Sequence, residues 1–251
     1  EQVCQYNDDK DIQLEQDIIF QNSLNKAQKP FVFISIGKQA QNIKKAPPKG
    51  CPVIFTPHGL YQTILSPLLV SFNGTNLSKN LSRLYKKENE KIFDKKISIT
   101  DNPFIDYSTS SRNYDAEGIT SQINTLIKRG RFISGIFDLK TSSEYNCQST
   151  GSAERSIHSN TFPSTSNLIM DNGETSFDEM VKQIDEGILV DHLLGSGQGN
   201  ELSGDFSANI SLGYKIEKGQ IVGRVKNTMI SGNSFNALSK VDDITSEIET
   251  V

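Results

Sequence analysis

The side chains that could do chemistry in this sequence are few, and the first group lies in a glycine-rich loop, GSGQGNELSGDFS, at residues 195–207. Glycine permits positive φ and close backbone approach, so such a loop could hold a phosphate. A dinucleotide-binding loop needs G-x-G-x-x-G between a strand and a helix. Here Asn200 occupies the third glycine position and the following residues predict a strand; the Gly-Lys-Ser/Thr ending of a P-loop is also missing. We therefore expect the loop to connect two strands, with its glycines serving backbone geometry.

Metal or acid–base chemistry would fall on the three histidines, His58, His158 and His192. A metalloprotease helix carries two histidines one turn apart and a glutamate that activates the metal-bound water. These three are far apart in sequence and differ in context. His192 interrupts the apolar run ILVDHLL, which is typical of a hydrogen-bonded core or interface histidine. A zinc site assembled from the histidines and a cysteine stays open as an alternative.

The sequence offers no clear nucleophile. It has no G-x-S-x-G elbow, and none of Cys4, Cys51 and Cys147 lies beside a candidate base. Cys147 has polar neighbours and is interpreted as an inert surface thiol. The three cysteines form no C-x-x-C pair, which favours a reduced, cytoplasmic protein.

One helix is well specified by TSFDEMVKQIDEG. Ser176 and Glu179 form a capping box, and Gly187 is predicted to end the helix. An apolar stripe follows at helical spacing: Phe177, Met180, Val181 and Ile184. Asp178 and Glu179 lie in the first turn, where the helix dipole favours acids, so stabilisation of the helix end is preferred over a catalytic carboxylate pair.

Two segments predict hairpins whose glycine takes the left-handed conformation: IKRGRFISG at 127–135 and IEKGQIVG at 216–223. The second follows a run of apolar residues with a period of two: Phe206, Ala208, Ile210, Leu212, Tyr214 and Ile216. This run predicts a long strand with one buried face. The expected fold is α+β, with a β-rich C-terminal domain of mostly antiparallel hairpins and a few helices.

The first residues differ from the rest. DIQLEQDIIFQNSLNKAQ predicts a helix, with Leu14, Ile18 and Ile19 at helical spacing, FVFISIG predicts a strand and KKAPPKGCP a linker. We assign residues 1–46 to the end of an N-terminal α/β domain with its linker, and 47–251 to the β-rich domain. VIF then predicts a strand, and GLYQTILSPLLVSF a helix interrupted near Pro67.

The charge pattern limits the partners. The net charge of −4 argues against nucleic-acid binding, and no apolar run reaches the roughly 18 residues of a membrane span. In SRLYKKENEKIFDKKI six basic residues are interleaved with three acidic ones, so this segment is interpreted as a solvated face.

Several ordered pieces of the sequence resemble the TldD/PmbA family. They are PVIFTP, ITDNP, YDAEGITSQINTLIKRGRFISGIFD, STGSAER, PSTSNLIMDNGETSFDEMVKQIDEGILV and the run GILVDHLLGSGQGNELSGDFSANISLGYKIEKGQIVGRVKNTMISGN, between residues 52 and 233. The resemblance implies an N-terminal α/β domain followed by a β-rich one, and a role in intracellular proteolysis with two kinds of subunit. The family's last strands have no counterpart here and the sequence opens without Met, so we expect both ends to be truncated.

The resemblance also bears on metal binding. TldD-type subunits carry His-Glu-x-x-x-His, and a later Cys completes a zinc site. The corresponding residues 64–74, ILSPLLVSFNG, contain no His, Glu or Cys, and Cys147 does not match the later ligand. The resemblance therefore implies the PmbA (TldE) type, with no catalytic residue, no metal ligand and no cofactor, and with zinc only on a TldD-type partner.

The leading hypothesis is thus a subunit that helps to form the peptide-binding chamber of a metalloprotease, acts on peptides or unfolded proteins, and pairs with a TldD-like subunit or with itself. No nucleic acid and no membrane is expected as a partner. Six residues are predicted to form a structural loop or interface: Gly195, Gly197, Gly199, Gly204, Asp205 and Phe206. The alternatives are a stand-alone peptide-binding or regulatory module of the gyrase-modulator type, and an independent enzyme that uses the histidines.

Overall fold

The computed structural model describes residues 2–8, 11–17, 42–195, 197 and 199–248, the first two ranges by their backbone alone. The strands are β1 (Gln2–Asp8), β2 (Asp11–Asp17), β3 (Ile43–Lys44), β4 (Val53–Phe55), β5 (Ile99–Asp101), β6 (Asn124–Lys128), β7 (Arg131–Phe132), β8 (Ala153–Glu154), β9 (Phe162–Pro163), β10 (Leu168–Met170), β11 (Glu186–Leu194), β12 (Asp205–Glu217), β13 (Gln220–Val225) and β14 (Met229–Asn233). The helices are α1 (Pro57–Leu60), α2 (Ser66–Phe72), α3 (Gly74–Ser78), α4 (Leu139–Tyr145), α5 (Phe177–Lys182) and α6 (Ser234–Ser239). A π turn (Tyr61–Leu65) joins α1 to α2, and a 3-10 turn covers Glu201–Ser203.

The strands form two main sheets. The larger has the order β3-β13-β12-β11-β4, with β14 also paired to β12; the smaller has the order β10-β5-β6-β7. Pairing is antiparallel except for β4 with β11 and β3 with β13. The hairpins and the short helices confirm the predicted α+β class.

The long strand β12 confirms the prediction made from its period of two. The six apolar residues that set the period are all buried: Phe206, Ala208, Ile210, Leu212, Tyr214 and Ile216. These side chains divide among three hydrophobic clusters, with Phe206 in the first, Ala208 and Ile210 in the second, and Leu212, Tyr214 and Ile216 in the third, so the strand is buried along its length but not against a single core. Helix α5 covers the third cluster through Val181, with Phe177, Met180 and Ile184 packed alongside.

Both predicted hairpin turns are confirmed. Gly130 and Gly219 have φ of 78° and 72°, and the residues before them, Arg129 and Lys218, also have positive φ. Positive φ at both central residues is the two-residue turn whose twist matches that of the flanking strands.

The capping box of α5 is confirmed, since the Ser176 side chain accepts from the Glu179 amide and the Glu179 side chain accepts from the Ser176 amide. The predicted stop at Gly187 is wrong. The helix ends at Lys182, and Gly187 lies in β11, paired with Ile216. A Cβ at Gly187 would lie 2.9 Å from the Pro52 carbonyl oxygen, so the glycine permits close strand packing there.

The helix predicted in the first residues is wrong for residues 11–17, which form β2 and pair with β1. Ile12 and Leu14 alternate with polar residues in DIQLEQD, and this period of two matches a strand. The rest of that prediction, with Ile18 and Ile19, and the FVFISIG strand lie outside the described residues. Residues 43–44 pair with β13, which places the start of the predicted linker KKAPPKGCP at the edge of the large sheet.

The predicted helix interrupted near Pro67 is a helical segment over residues 57–72, made of α1, the π turn and α2. Proline lacks an N–H and cannot continue the regular hydrogen-bond ladder, and the wider π turn comes directly before it. The segment buries Ile64, Leu65, Leu68 and Phe72 against β5–β7 and α6, which together form the largest hydrophobic core.

Candidate functional site

The helical segment 57–72 spans the two regions that hold the predicted site residues. At its start, the Thr56 amide donates to the Val190 carbonyl of β11 over 3.0 Å, and the Thr56 side chain accepts from the Gly59 amide. At its end, α2 contacts the turn Glu201–Ser203 of the glycine loop. The segment therefore links the end of β11 to the loop between β11 and β12.

The structure brings together two of the three histidines. The rings of His58 and His192 stack with their centroids 4.2 Å apart and an interplanar angle of 24°. Gln62 holds the pair in place: its Oε1 accepts from the Leu193 amide over 3.0 Å, and its Nε2 lies 3.0 Å from His58 Nε2. An amide nitrogen can only donate, so His58 Nε2 is the acceptor and the neutral ring carries its proton on Nδ1.

Asp191 is the acidic residue of this group, which we call the histidine cluster: Thr56, His58, Gln62, Asp191 and His192. Its Oδ1 accepts from Thr56 Oγ1 over 2.7 Å, and its Oδ2 lies 3.2 Å from His192 Nδ1. Burial raises the pKa of Asp191, but the hydrogen bonds from His192 and Thr56, with the charges of the two rings, lower it more, and the pKa ends below its usual value. Burial and repulsion from His192 outweigh the attraction of Asp191 and hold the pKa of His58 below its usual value.

The histidine cluster can hold and transfer a proton, because an imidazole oriented by a carboxylate is the usual arrangement of a general base. The cluster also contains the Thr56 hydroxyl, but this group donates its hydrogen bond to Asp191 and not to an imidazole. His158 lies in an exposed turn and is not part of the cluster. Among the described residues, no group of three or more His, Cys, Asp or Glu side chains is placed to hold a metal ion.

Cys147 is exposed and Cys51 half-buried, and neither forms a disulfide. Desolvation and the nearby Glu88 carboxylate raise the pKa of Cys147. The reactive form of cysteine is the thiolate, so this environment keeps Cys147 a poor nucleophile.

Residues 64–74, which were expected to correspond to the zinc-motif region of TldD-type subunits, are part of the core. Leu68 and Phe72 are 1% and 0% exposed, and Ser71 is also fully buried. These side chains pack against Phe132 and Ile136, on and just after β7. The segment thus presents apolar side chains to the interior of the chain.

The glycine loop connects β11 to β12, as predicted, and its end is tightly fixed. Gly204 has φ of 78° and ends the 3-10 turn; a Cβ there would lie 2.7 Å from the Phe235 ring. Gly195 also has positive φ, Gly197 bridges to Ser207, and a Cβ at Gly199 would overlap the Asp205 carbonyl.

Asp205 and Phe206 fasten the loop from two sides. The Asp205 carboxylate accepts from Ser203 Oγ and from Asn233 Nδ2, and these hydrogen bonds lower the pKa of Asp205. Phe206 is buried in the main core. The six predicted loop residues therefore lie in one structural unit, although their role as an interface stays a prediction.

Arg83 is a loop partner that the sequence reasoning missed. Its guanidinium donates to the Ser203 carbonyl over 3.2 Å and lies 4.6 Å from the centre of the Phe235 ring. Arg83 lies in the mixed-charge run after α3, more than a hundred residues from the loop. Nothing local in the sequence distinguishes it from the neighbouring lysines.

The sequence and the fold of this chain are similar to those of known proteins. The sequence profile of the PmbA/TldA metallopeptidase C-terminal domain matches residues 48–251. A metalloprotease PmbA homologue from Buchnera aphidicola subsp. Acyrthosiphon pisum is 28% identical over 198 residues, 79% of this chain and 42% of the relative. A metalloprotease TldD homologue from Haemophilus influenzae is 28% identical over 172 residues, 68% of this chain and 36% of the relative.

The crystal structure of TldE from Thermococcus kodakarensis superposes with a TM-score of 0.75 at 29% identity, covering 85% of this chain and 48% of that one. The chain thus spans less than half the length of these relatives. The match extends over most of the described β-rich region and includes both the helical segment and the glycine loop. The chain belongs to the PmbA/TldD family of metallopeptidases.

Proposed function

We propose that this chain is the C-terminal part of a PmbA/TldE-type subunit of a TldD/PmbA-type metallopeptidase system. In this proposal the subunit has no zinc site of its own and forms part of the chamber that binds peptides or unfolded proteins. The observation that carries the proposal is the burial of residues 64–74, where Leu68 and Phe72 fill the core and no side chain is a zinc ligand.

The backbone of the helical segment has a feature that suits the zinc motif of the proposed partner. The two histidines of His-Glu-x-x-x-His are five residues apart, which is about 500° of rotation in an α-helix and leaves them on different faces. A π turn, with its i→i+5 hydrogen bonds, brings such residues onto one face. A π turn is present at Tyr61–Leu65, directly before α2. The helical irregularity that suits such a motif is thus present beside a segment that lacks the ligands.

The proposed partner is a TldD-like subunit, or a second copy of this chain, in the cytoplasm. Relatives of both kinds, one named for PmbA and one for TldD, match at the same identity of 28%, so similarity alone does not separate the two subunit types. The structural neighbour named TldE favours the PmbA/TldE type. No helix in the described part of the chain is long and apolar enough to cross a membrane.

The test is reconstitution with the TldD-type protein of the same organism. The proposal predicts that the two proteins co-elute as one species in size-exclusion chromatography and that peptide hydrolysis requires both. Hydrolysis by this chain alone would overturn the accessory role. Failure to form a mixed complex, together with peptide binding by the isolated chain, would favour a stand-alone binding module.

A further inference from the structure

A groove of about 400 Å³ lies between the β6–β7 hairpin and the second half of the mixed-charge run. Five basic side chains and one apolar side chain line it: Lys91, Lys95, Lys128, Arg129, Arg131 and Ile133. The five basic residues are exposed. Lys91 and Lys95 come from the mixed-charge run, which was predicted to be a solvated face, and the other three come from the hairpin. Folding therefore concentrates charges that are scattered in the sequence.

The backbone beneath these side chains is firmly hydrogen-bonded. The amides of Ile92 and Phe93 donate to the Gly130 carbonyl over 3.0 and 2.9 Å, and the Gly130 amide donates to the Ile97 carbonyl over 2.8 Å. The Arg131 guanidinium donates to the Asn89 carbonyl over 2.7 Å. Phe93 lies in the main core. The charged side chains thus project from a preformed frame, so binding costs little backbone ordering.

Two of the three acidic residues of the run are engaged away from the groove. The Glu88 carboxylate accepts from Tyr145 Oη over 2.7 Å, and the Asp94 carboxylate accepts from the Lys96 amide over 2.9 Å. The third, Glu90, is exposed and does not line the groove. Of the residues that the structure describes, no acidic one lines the groove. Within the described parts of the chain, none of the five basic side chains forms an ion pair, since the recorded pairs involve His192 and Lys215.

We propose that this groove binds an acidic peptide segment. Five like charges around one groove repel each other and create a local positive potential, in a chain whose net charge is −4. Carboxylates spaced along an extended peptide relieve that repulsion at several points, and Ile133 offers an apolar contact between them. A nucleic acid fits less well, because the rest of the surface is acidic and repels a long polyanion. The proposal does not depend on the proposed subunit role.

The test is binding of fluorescent peptides to the purified chain, followed by anisotropy. The probe is an extended eight-residue peptide with four alternating Glu residues; its control has Gln at the same positions. We expect the acidic peptide to bind, the Gln peptide to bind at least tenfold more weakly, and the affinity of the acidic peptide to fall as salt rises from 50 to 300 mM.

The variant is Lys95→Gln with Lys128→Gln, whose side chains make no hydrogen bond in the described structure. It is matched by Lys79→Gln with Lys140→Gln, two exposed lysines outside the groove. Exposed charge contacts are individually weak, so the groove variant should bind about fivefold more weakly and the control as the parent does. Circular dichroism confirms that both fold.

Equal loss in both double variants, or equal binding of the Glu and Gln peptides, would overturn the proposal. So would tighter binding of a single-stranded oligonucleotide of equal charge at 150 mM salt, since the ligand would then be a nucleic acid. Absence of peptide binding would also overturn it while leaving the proposed subunit role intact.

Discussion

Replacing Leu68 by alanine tests whether residues 64–74 are core. Leu68 is 1% exposed and lies in the main hydrophobic core. The substitution removes three carbon atoms at about 0.8 kcal/mol each, and the cavity left behind adds to this loss. We expect a loss of about 3 kcal/mol in the free energy of unfolding. With a urea m-value of about 2 kcal/mol/M, the unfolding midpoint should fall by about 1.5 M.

The matched control is Leu81→Ala, the same change at a side chain that is 52% exposed. Surface substitutions usually alter stability by less than about 0.5 kcal/mol, so the midpoint should move by about 0.25 M or less. Urea unfolding followed by circular dichroism measures both variants. If Leu68→Ala and Leu81→Ala shift the midpoint equally, residues 64–74 are not core, and the argument that they cannot present a metal site loses its basis.

Three further predictions concern the turns, the loop and the histidine cluster. Gly130→Ala should destabilise the chain by at least about 1 kcal/mol more than Gly118→Ala. Both glycines have positive φ, but a Cβ at Gly130 would lie 2.4 Å from the Phe93 carbonyl oxygen, whereas a Cβ at Gly118 meets nothing within 4 Å. Equal urea midpoints for the two variants would refute the clash. Arg83→Met should speed amide hydrogen exchange in residues 203–206 by about tenfold and Arg83→Lys less, because methionine removes the donor to the Ser203 carbonyl and lysine keeps one. Unchanged exchange would show that Arg83 does not hold the loop. The pKa of His58 is below its usual 6.5, so below that pH the unfolded chain binds a proton that the folded chain does not, and stability falls as pH drops through about 6.5. His58→Gln should therefore reduce the difference in urea midpoint between pH 7.5 and 5.5. An unchanged difference would contradict the assignment of this pH dependence to His58.

Much of the fold could be predicted because its signals are local. The alternation of β12, the glycines of the two hairpins and the capping box of α5 each lie within a few consecutive residues, and each is confirmed. Gly187 was misread because a glycine that ends a helix and one that permits close strand packing look the same in sequence. The strand β2 was misread because an apolar run can fit both periods, and pairing with β1 decides between them.

The candidate site could be predicted only in part, since most of its contacts are long-range. The sequence marked His192 and the glycine loop, but stacking of His58 on His192 depends on the parallel pairing of β4 with β11. The attachment of Arg83 to the loop and the gathering of basic side chains in the groove depend likewise on how distant segments pack. Local composition carries no signal for such contacts, and in the mixed-charge run it favoured a solvated face.

The metal content of the purified full-length protein tests the central claim most directly. Elemental analysis after mild dialysis should be run beside a TldD-type homologue treated in the same way. The account predicts zinc well below one ion per chain, because residues 64–74 offer no imidazole, carboxylate or thiolate to bind it. Zinc near one ion per chain, lost on replacing His58 or His192, would contradict the account and make the histidine cluster a metal site.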